Sequence, residues 1–107
     1  MITARHINEA YDDLSRATRG LADATELEAA QRAALETKKA ELLALGTIDG
    51  KNAETREAQL RDRLVGEYAA LADVQSNVAQ ARTNLTLCQI QVERCKTLLK
   101  LLEVART

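Results

Sequence analysis

Three side chains in the sequence could hold a soft metal ion or act as nucleophiles: Cys88, Cys95 and His6, the single histidine. The cysteines are seven residues apart. On a helix that spacing puts both on one face, about 10.5 Å apart along the axis. This is too far for a disulfide between them. The spacing matches no zinc motif, and a fourth ligand is missing. Packed thiols are therefore expected, because cysteine in a seam behaves as a small hydrophobe. A bridge between subunits at Cys95 is a minority alternative. No metal and no cofactor is expected.

Acid–base catalysis needs two positioned groups in a concave pocket. Asp12-Asp13 and Glu26/Glu28 have no histidine or cysteine beside them and read as solvated helix faces. Gly50-Lys51-Asn52 resembles a phosphate loop only superficially, since it lacks the Gly-Lys-Ser/Thr ending. No enzyme is expected. Arg82, Arg94, Lys96, Lys100 and Arg106 give the C-terminal part a mildly basic balance. That leaves a nucleic-acid accessory module as the alternative function, with these residues as phosphate contacts. Against it, Tyr11 and Tyr68 lie outside basic stretches and offer no stacking platform. The simpler role for the cations is to favour a helix C-terminus.

Elements that could position any of these residues are dictated by composition. Ala, Glu, Lys, Leu and Arg supply 60 of 107 residues, and Phe, Trp and Pro are absent. This is the composition of long helices or coiled coil. It excludes a sheet-rich fold, in which β-branched and aromatic residues are enriched. Formal net charge is −1, from 15 basic and 16 acidic residues, so no global attraction to nucleic acid or an anionic membrane follows. No apolar run approaches the roughly 20 residues of a membrane span, and the N-terminus has no apolar signal core. A cytoplasmic protein with free thiols is the expectation.

Punctuation is concentrated in Leu45-Gly46-Thr47-Ile48-Asp49-Gly50-Lys51-Asn52. Gly46 suits the left-handed residue that ends a helix, and Asn52 can cap the next one. The spacing predicts one domain, 1–107: a helix over about 3–45, a turn at 46–52 and a helix over about 53–104. In the second helix Leu60, Leu64, Glu67, Leu71, Val74, Val78, Ala81, Leu85, Cys88, Val92, Cys95, Leu99 and Leu102 alternate steps of four and three. A seven-residue repeat sustained this long implies a left-handed supercoil against a partner helix. The first helix has the same period. One seam position reads Ile7, Leu14, Leu21, Glu28, Leu35, Leu42; the other reads Ala10, Ala17, Ala24, Gln31, Lys38, Leu45. Gly20, followed by a capping box at Thr25–Glu28, offers an alternative of three helices with a break near Gly20. Continuity is preferred because the heptad runs through Gly20 without a phase shift.

A short turn between heptad helices makes an antiparallel two-helix coiled-coil hairpin. Folding about Ile48–Asp49 sets Leu35 near Leu64, Leu14 near Leu85, Ile7 near Val92, Ala10 near Cys88 and Glu67 near Gln31. Glu28, Gln31, Lys38 and Glu67 then form a polar layer that fixes register. Cys95, Leu98, Leu99, Leu101, Leu102 and Val104 are left with little opposite them. Such an apolar patch marks an interface. A two-helix hairpin also buries a low fraction of its surface. Pairing of two hairpins into a four-helix bundle, as a homodimer or a higher symmetric oligomer, would cover both deficits.

The segment Ile48-Asp49-Gly50-Lys51-Asn52-Ala53-Glu54-Thr55-Arg56-Glu57-Ala58-Gln59-Leu60 resembles the turn and helix start of small helical-hairpin proteins encoded by bacteriophages and prophages. These are similar in outline, with about a hundred residues, an alanine-rich helix, a Gly-Lys-Asn-Ala-Glu turn and a long leucine-heptad helix. The resemblance covers about an eighth of the chain in residues and the rest in style. It implies a phage origin, a bacterial host cytoplasm and an accessory role, and it carries over no catalytic residue. Small secreted hairpin proteins with a Trp-x-Gly turn are similar in length, but this sequence has no tryptophan. The function expected is non-enzymatic: self-association and protein–protein interaction with an unidentified host or phage protein, as scaffold, adaptor or inhibitor.

Overall fold

The computed structural model describes residues 2–106. Three helices and no strand occur among them: α1 (Ala4–Ala44), α2 (Ala53–Arg63) and α3 (Val65–Arg106). α1 and α3 pack extensively as an all-helical hairpin. No helix among the described residues is long and apolar enough to cross a membrane.

α1 runs without interruption through Gly20. The break that makes three helices falls instead at Leu64, inside the segment expected to form one helix. Leu64 leaves helical geometry (φ −117, ψ 35) while its N–H still bonds the Leu60 carbonyl. The i to i−4 bond from the Tyr68 N–H to the Leu64 carbonyl (2.9 Å) resumes the ladder at once. The interruption is therefore local, and the neighbouring Gly66 is the kind of residue at which helices bend. Apolar phase survives it, with Leu60, Leu64 and Leu71 all buried.

The chain forms two compact units. One holds Thr25–Asn77. Its core is Leu35, Ile48, Leu60, Leu64 and Leu71, flanked by Leu42, Tyr68 and Val74. The connection 45–52 is a folded element of this unit. Gly46 ends α1 with φ 73, the left-handed region, and its N–H bonds the Leu43 carbonyl (3.2 Å). Ile48 turns inward and joins the core. Gln59 Oε1 accepts from the backbone N–H groups of Asp49 (3.1 Å) and Gly50 (2.9 Å). Its Nε2 donates to Asp49 Oδ1 (2.7 Å). Arg56 Nη1 donates to the Gly50 carbonyl (3.2 Å), and Asn52 Oδ1 caps α2 by accepting from the Thr55 N–H (2.8 Å). Polar backbone that a turn leaves without helix partners is thus satisfied by side chains two turns into α2.

The other unit joins residues up to Ala24 with residues from Val78 onward. Its core is Ala10, Val92 and Cys95, with Ile2 and Leu14 against it. In this unit the register differs from a fold about Ile48–Asp49, whereas Leu35 and Leu64 share the core of the Thr25–Asn77 unit as that fold places them. Ala10 packs with Val92 and Cys95 rather than Cys88, and Leu14 joins the same cluster. In the Thr25–Asn77 unit Glu67 meets Lys38 (3.3 Å), where Gln31 was expected. The slide is roughly one to two helical turns.

Seam positions follow the heptads closely. Leu35, Leu60, Leu64, Leu71, Val78 and Val92 are buried, and Ile7, Leu14, Leu21, Leu42, Val74 and Leu85 are half-buried. Leu45 and Leu102, expected in the seam, are exposed.

Two glycines should respond oppositely to alanine. A Cβ at Gly50 would lie 2.8 Å from the Arg56 backbone nitrogen, whereas one at Gly20 would meet nothing within 4 Å. Gly50→Ala should destabilise by about 1–3 kcal/mol through forced overlap. Gly20→Ala should stabilise by about 1 kcal/mol, the helix-propensity difference. Thermal melts followed by circular dichroism check both signs.

Candidate functional site

A concavity lies in the unit built from the start of α1 and the end of α3. It is a groove of about 600 Å³. It is lined by Ile2 and by His6, Glu9, Ala10 and Asp13 of α1, and by Gln91, Arg94, Cys95, Leu98, Leu101 and Leu102 of α3. On each helix the lining residues recur at steps of three or as adjacent pairs one turn apart, so the groove follows one edge of each helix. The same spacing that builds the seam builds this trough beside it.

Of the expected interface residues, the structure brings Cys95, Leu98, Leu101 and Leu102 together here. Leu98, Leu101 and Leu102 are exposed, and Val104 is 71% exposed. Leu99 is half-buried. Cys95 was read as the first residue of an unpartnered overhang. It is instead 3% exposed and sits in the core against Ala10, because the register slide carries α1 over it. Two apolar positions were missed: Leu87 and Ile90 are each 58% exposed on α3. Their signal was present in the sequence as a second apolar periodicity, offset from the heptad seam.

The groove's rim is charged with opposite signs on its two sides. Glu9 and Asp13 stand on α1, where Glu9 pairs with Arg5 (3.0 Å) and Asp13 with Arg16. All four side chains are more than half exposed, so these pairs are weak and easily exchanged. Arg94 stands on the α3 side, with no ion pair among the described residues. His6 is exposed, and its Nδ1 accepts from the Thr3 N–H (3.1 Å). Among the described residues no three His, Cys, Asp or Glu side chains are placed to hold a metal ion.

The basic residues of α3 do not gather on one face. At 100° per residue Arg82, Lys96 and Lys100 fall on one side, Arg94 on the groove and Arg106 nearer the seam. Lys96 is occupied by Glu93 (3.1 Å), which holds the ammonium above its ordinary pKa.

A second cluster belongs to the Thr25–Asn77 unit. Tyr68 carries Arg61 4.6 Å and Lys39 5.3 Å from its ring centre, both within cation–π range. Its hydroxyl donates to Glu57 Oε1 (2.8 Å). Tyr68 and then the Glu57 and Glu36 carboxylates hold Lys39 above its ordinary pKa, against a partial burial that lowers it. Sequence distance hid this cluster, since Lys39 lies on another helix.

Glu67, the polar break in the second seam, has a local reason. It is the third residue of α3, where helix N–H groups lack carbonyl partners. Its carboxylate is held below the ordinary range first by a backbone N–H and then by Lys38. The polar layer expected from Glu28, Gln31, Lys38 and Glu67 thus contains one cross-helix ion pair, Lys38–Glu67.

Comparison with family models, with curated proteins and with solved structures finds no match to this chain.

A depressed carboxylate pKa contributes stability that is present above its unfolded value and lost as pH falls through the folded one. For Glu67 the unfolded value is 4.5. The melting temperature should therefore fall on acidification below that value, and the fall should be shallower for Glu67→Gln. Melts of both proteins across acidic pH measure the difference.

Proposed function

We propose that the protein is a non-enzymatic helical-hairpin interaction module. It self-associates through the α1/α3 groove and acts by protein–protein contact as scaffold, adaptor or inhibitor. The Gly-Lys-Asn-Ala-Glu turn supports placing it among phage-type accessory proteins of the bacterial cytoplasm.

The observation that carries this reading is surface. The single chain exposes 7954 Å². A monomeric globular protein of 11.8 kDa exposes about 5,900 Å². The excess, about 2,000 Å² for each chain, is of the size that stable homodimers hide. No side chain is below 2% exposure among the described residues, so no interior offsets that excess. Leu87, Ile90, Leu98, Leu101, Leu102 and Val104 are exposed in the unit that contains the groove, against Leu27, Leu43, Leu45 and Val65 in the other, so the larger share of exposed apolar side chains lies beside the groove.

Light scattering after size exclusion, with reductant present, tests the reading. The expected mass is twice 11.8 kDa or a higher multiple. Leu98→Glu combined with Leu101→Glu should return the monomer mass with helical content retained. A wild-type monomer at every concentration would remove self-association from the proposal.

A further inference from the structure

Exposed residues on α3 have a symmetry that the heptad seam does not. Leu87, Ile90, Arg94, Leu98 and Leu101 are separated by steps of three, four, four and three. At 100° per residue all five fall within an arc of about 80°. The four apolar members are 58%, 58%, 41% and 60% exposed in chain order. Read in either direction the stripe is the same: apolar, apolar, arginine, apolar, apolar.

A stripe of this kind is self-complementary when turned end for end. In a two-fold contact, residue i of one copy meets j of the other and j meets i. We propose that α3 pairs antiparallel with α3 of a second copy, with the two-fold axis at Arg94. Leu87 then faces Leu101 of the other copy and Ile90 faces Leu98. This rests on the self-association proposed above and specifies its geometry.

Arg94 is the residue that could forbid the contact, because two copies of it meet at the axis. The groove supplies the counter-charge. Glu9 and Asp13 line it on the α1 side together with Arg94 on the α3 side, so four carboxylates surround the two guanidiniums. Arg5 and Arg16 hold those carboxylates only through exposed pairs within one helix. Arginine accepts such a site readily, since its guanidinium is weakly hydrated and bonds carboxylates through several donors. A parallel arrangement would also set apolar against apolar, but with the two helix dipoles aligned, whereas the antiparallel one opposes them.

Disulfide trapping in the full chain reads the register directly. Cys88→Ser and Cys95→Ala give the background, and single cysteines are introduced by Arg94→Cys, Leu87→Cys or Leu101→Cys, with copper phenanthroline as oxidant. Arg94→Cys should give a covalent dimer on a non-reducing gel. Leu87→Cys alone and Leu101→Cys alone should not, and the two mixed should. Cross-linking of Leu87→Cys with itself would overturn the antiparallel register in favour of a parallel one. A protein that is dimeric by light scattering but shows no Arg94→Cys product would overturn this geometry and leave self-association standing. A monomer by light scattering, in wild type and background alike, would overturn both.

Discussion

Two helices packed side by side can each bury one stripe and no more. Every other feature of this protein answers to that constraint. The stripe in α1 is narrow and rich in alanine, that in α3 is leucine and valine, and the buried set is short: Ala10, Leu35, Ile48, Leu60, Leu64, Leu71, Val78, Val92 and Cys95. A hairpin with so thin an interior needs its register held by something other than bulk. The connection does this. Ile48 plugs the core of its own unit, and Gln59 binds the backbone of Asp49 and Gly50. The turn is thereby joined to both the apolar and the polar structure of α2. A loop free to slide by one residue would move Ile48 out of its site and break the bonds that Gln59 makes to the Asp49 and Gly50 N–H groups.

How much of this was legible follows from what a periodicity can encode. Heptads assign faces, and Leu60, Leu64, Leu71, Val78 and Val92 at heptad positions are buried. Caps are encoded by single residues, so Gly46 and Asn52 were also legible. Periodicity does not encode how far one helix is displaced along another. A seam slid by one heptad presents the same residue types, which is why Ala10 was expected beside Cys88 and lies with Val92 and Cys95. The fold of the connection was equally hidden, because it depends on a side chain ten residues away, Gln59 to Asp49. The Leu64 break was hidden for a related reason. It costs one residue of helix geometry and no apolar phase, so the pattern of leucines passes through it unchanged.

Glu67 shows how one residue can satisfy two descriptions. As a letter in a seam it is a polar interruption that opposes register slips. In the structure it is also the third residue of a helix that restarts at Val65, where its carboxylate can take a backbone N–H that the break has released. Lys38 then adds a cross-helix contact at 3.3 Å. The first role needs only an unbroken helix; the second exists only because α3 restarts at Val65. Tyr68 lies one residue further on and gathers Arg61 and Lys39 across its ring. The charged groups of this unit therefore concentrate where α2 gives way to α3, and they help hold a junction that lacks a full run of helix bonds.

The groove in the other unit differs in kind. Its apolar members are not needed by the hairpin, whose seam already has Val92, Cys95 and Leu99. A helix that only had to pack on α1 would gain solubility from charge at positions 87, 90, 98 and 101, since exposed apolar patches promote association. Leucine and isoleucine at all four positions are what the proposed second interface would use. The acidic α1 rim and Arg94 then restrict which surface can be its complement, because electrostatic pattern contributes selectivity more than affinity. The antiparallel pairing proposed above uses both features, setting opposite rims together across an apolar stripe symmetric about its own arginine.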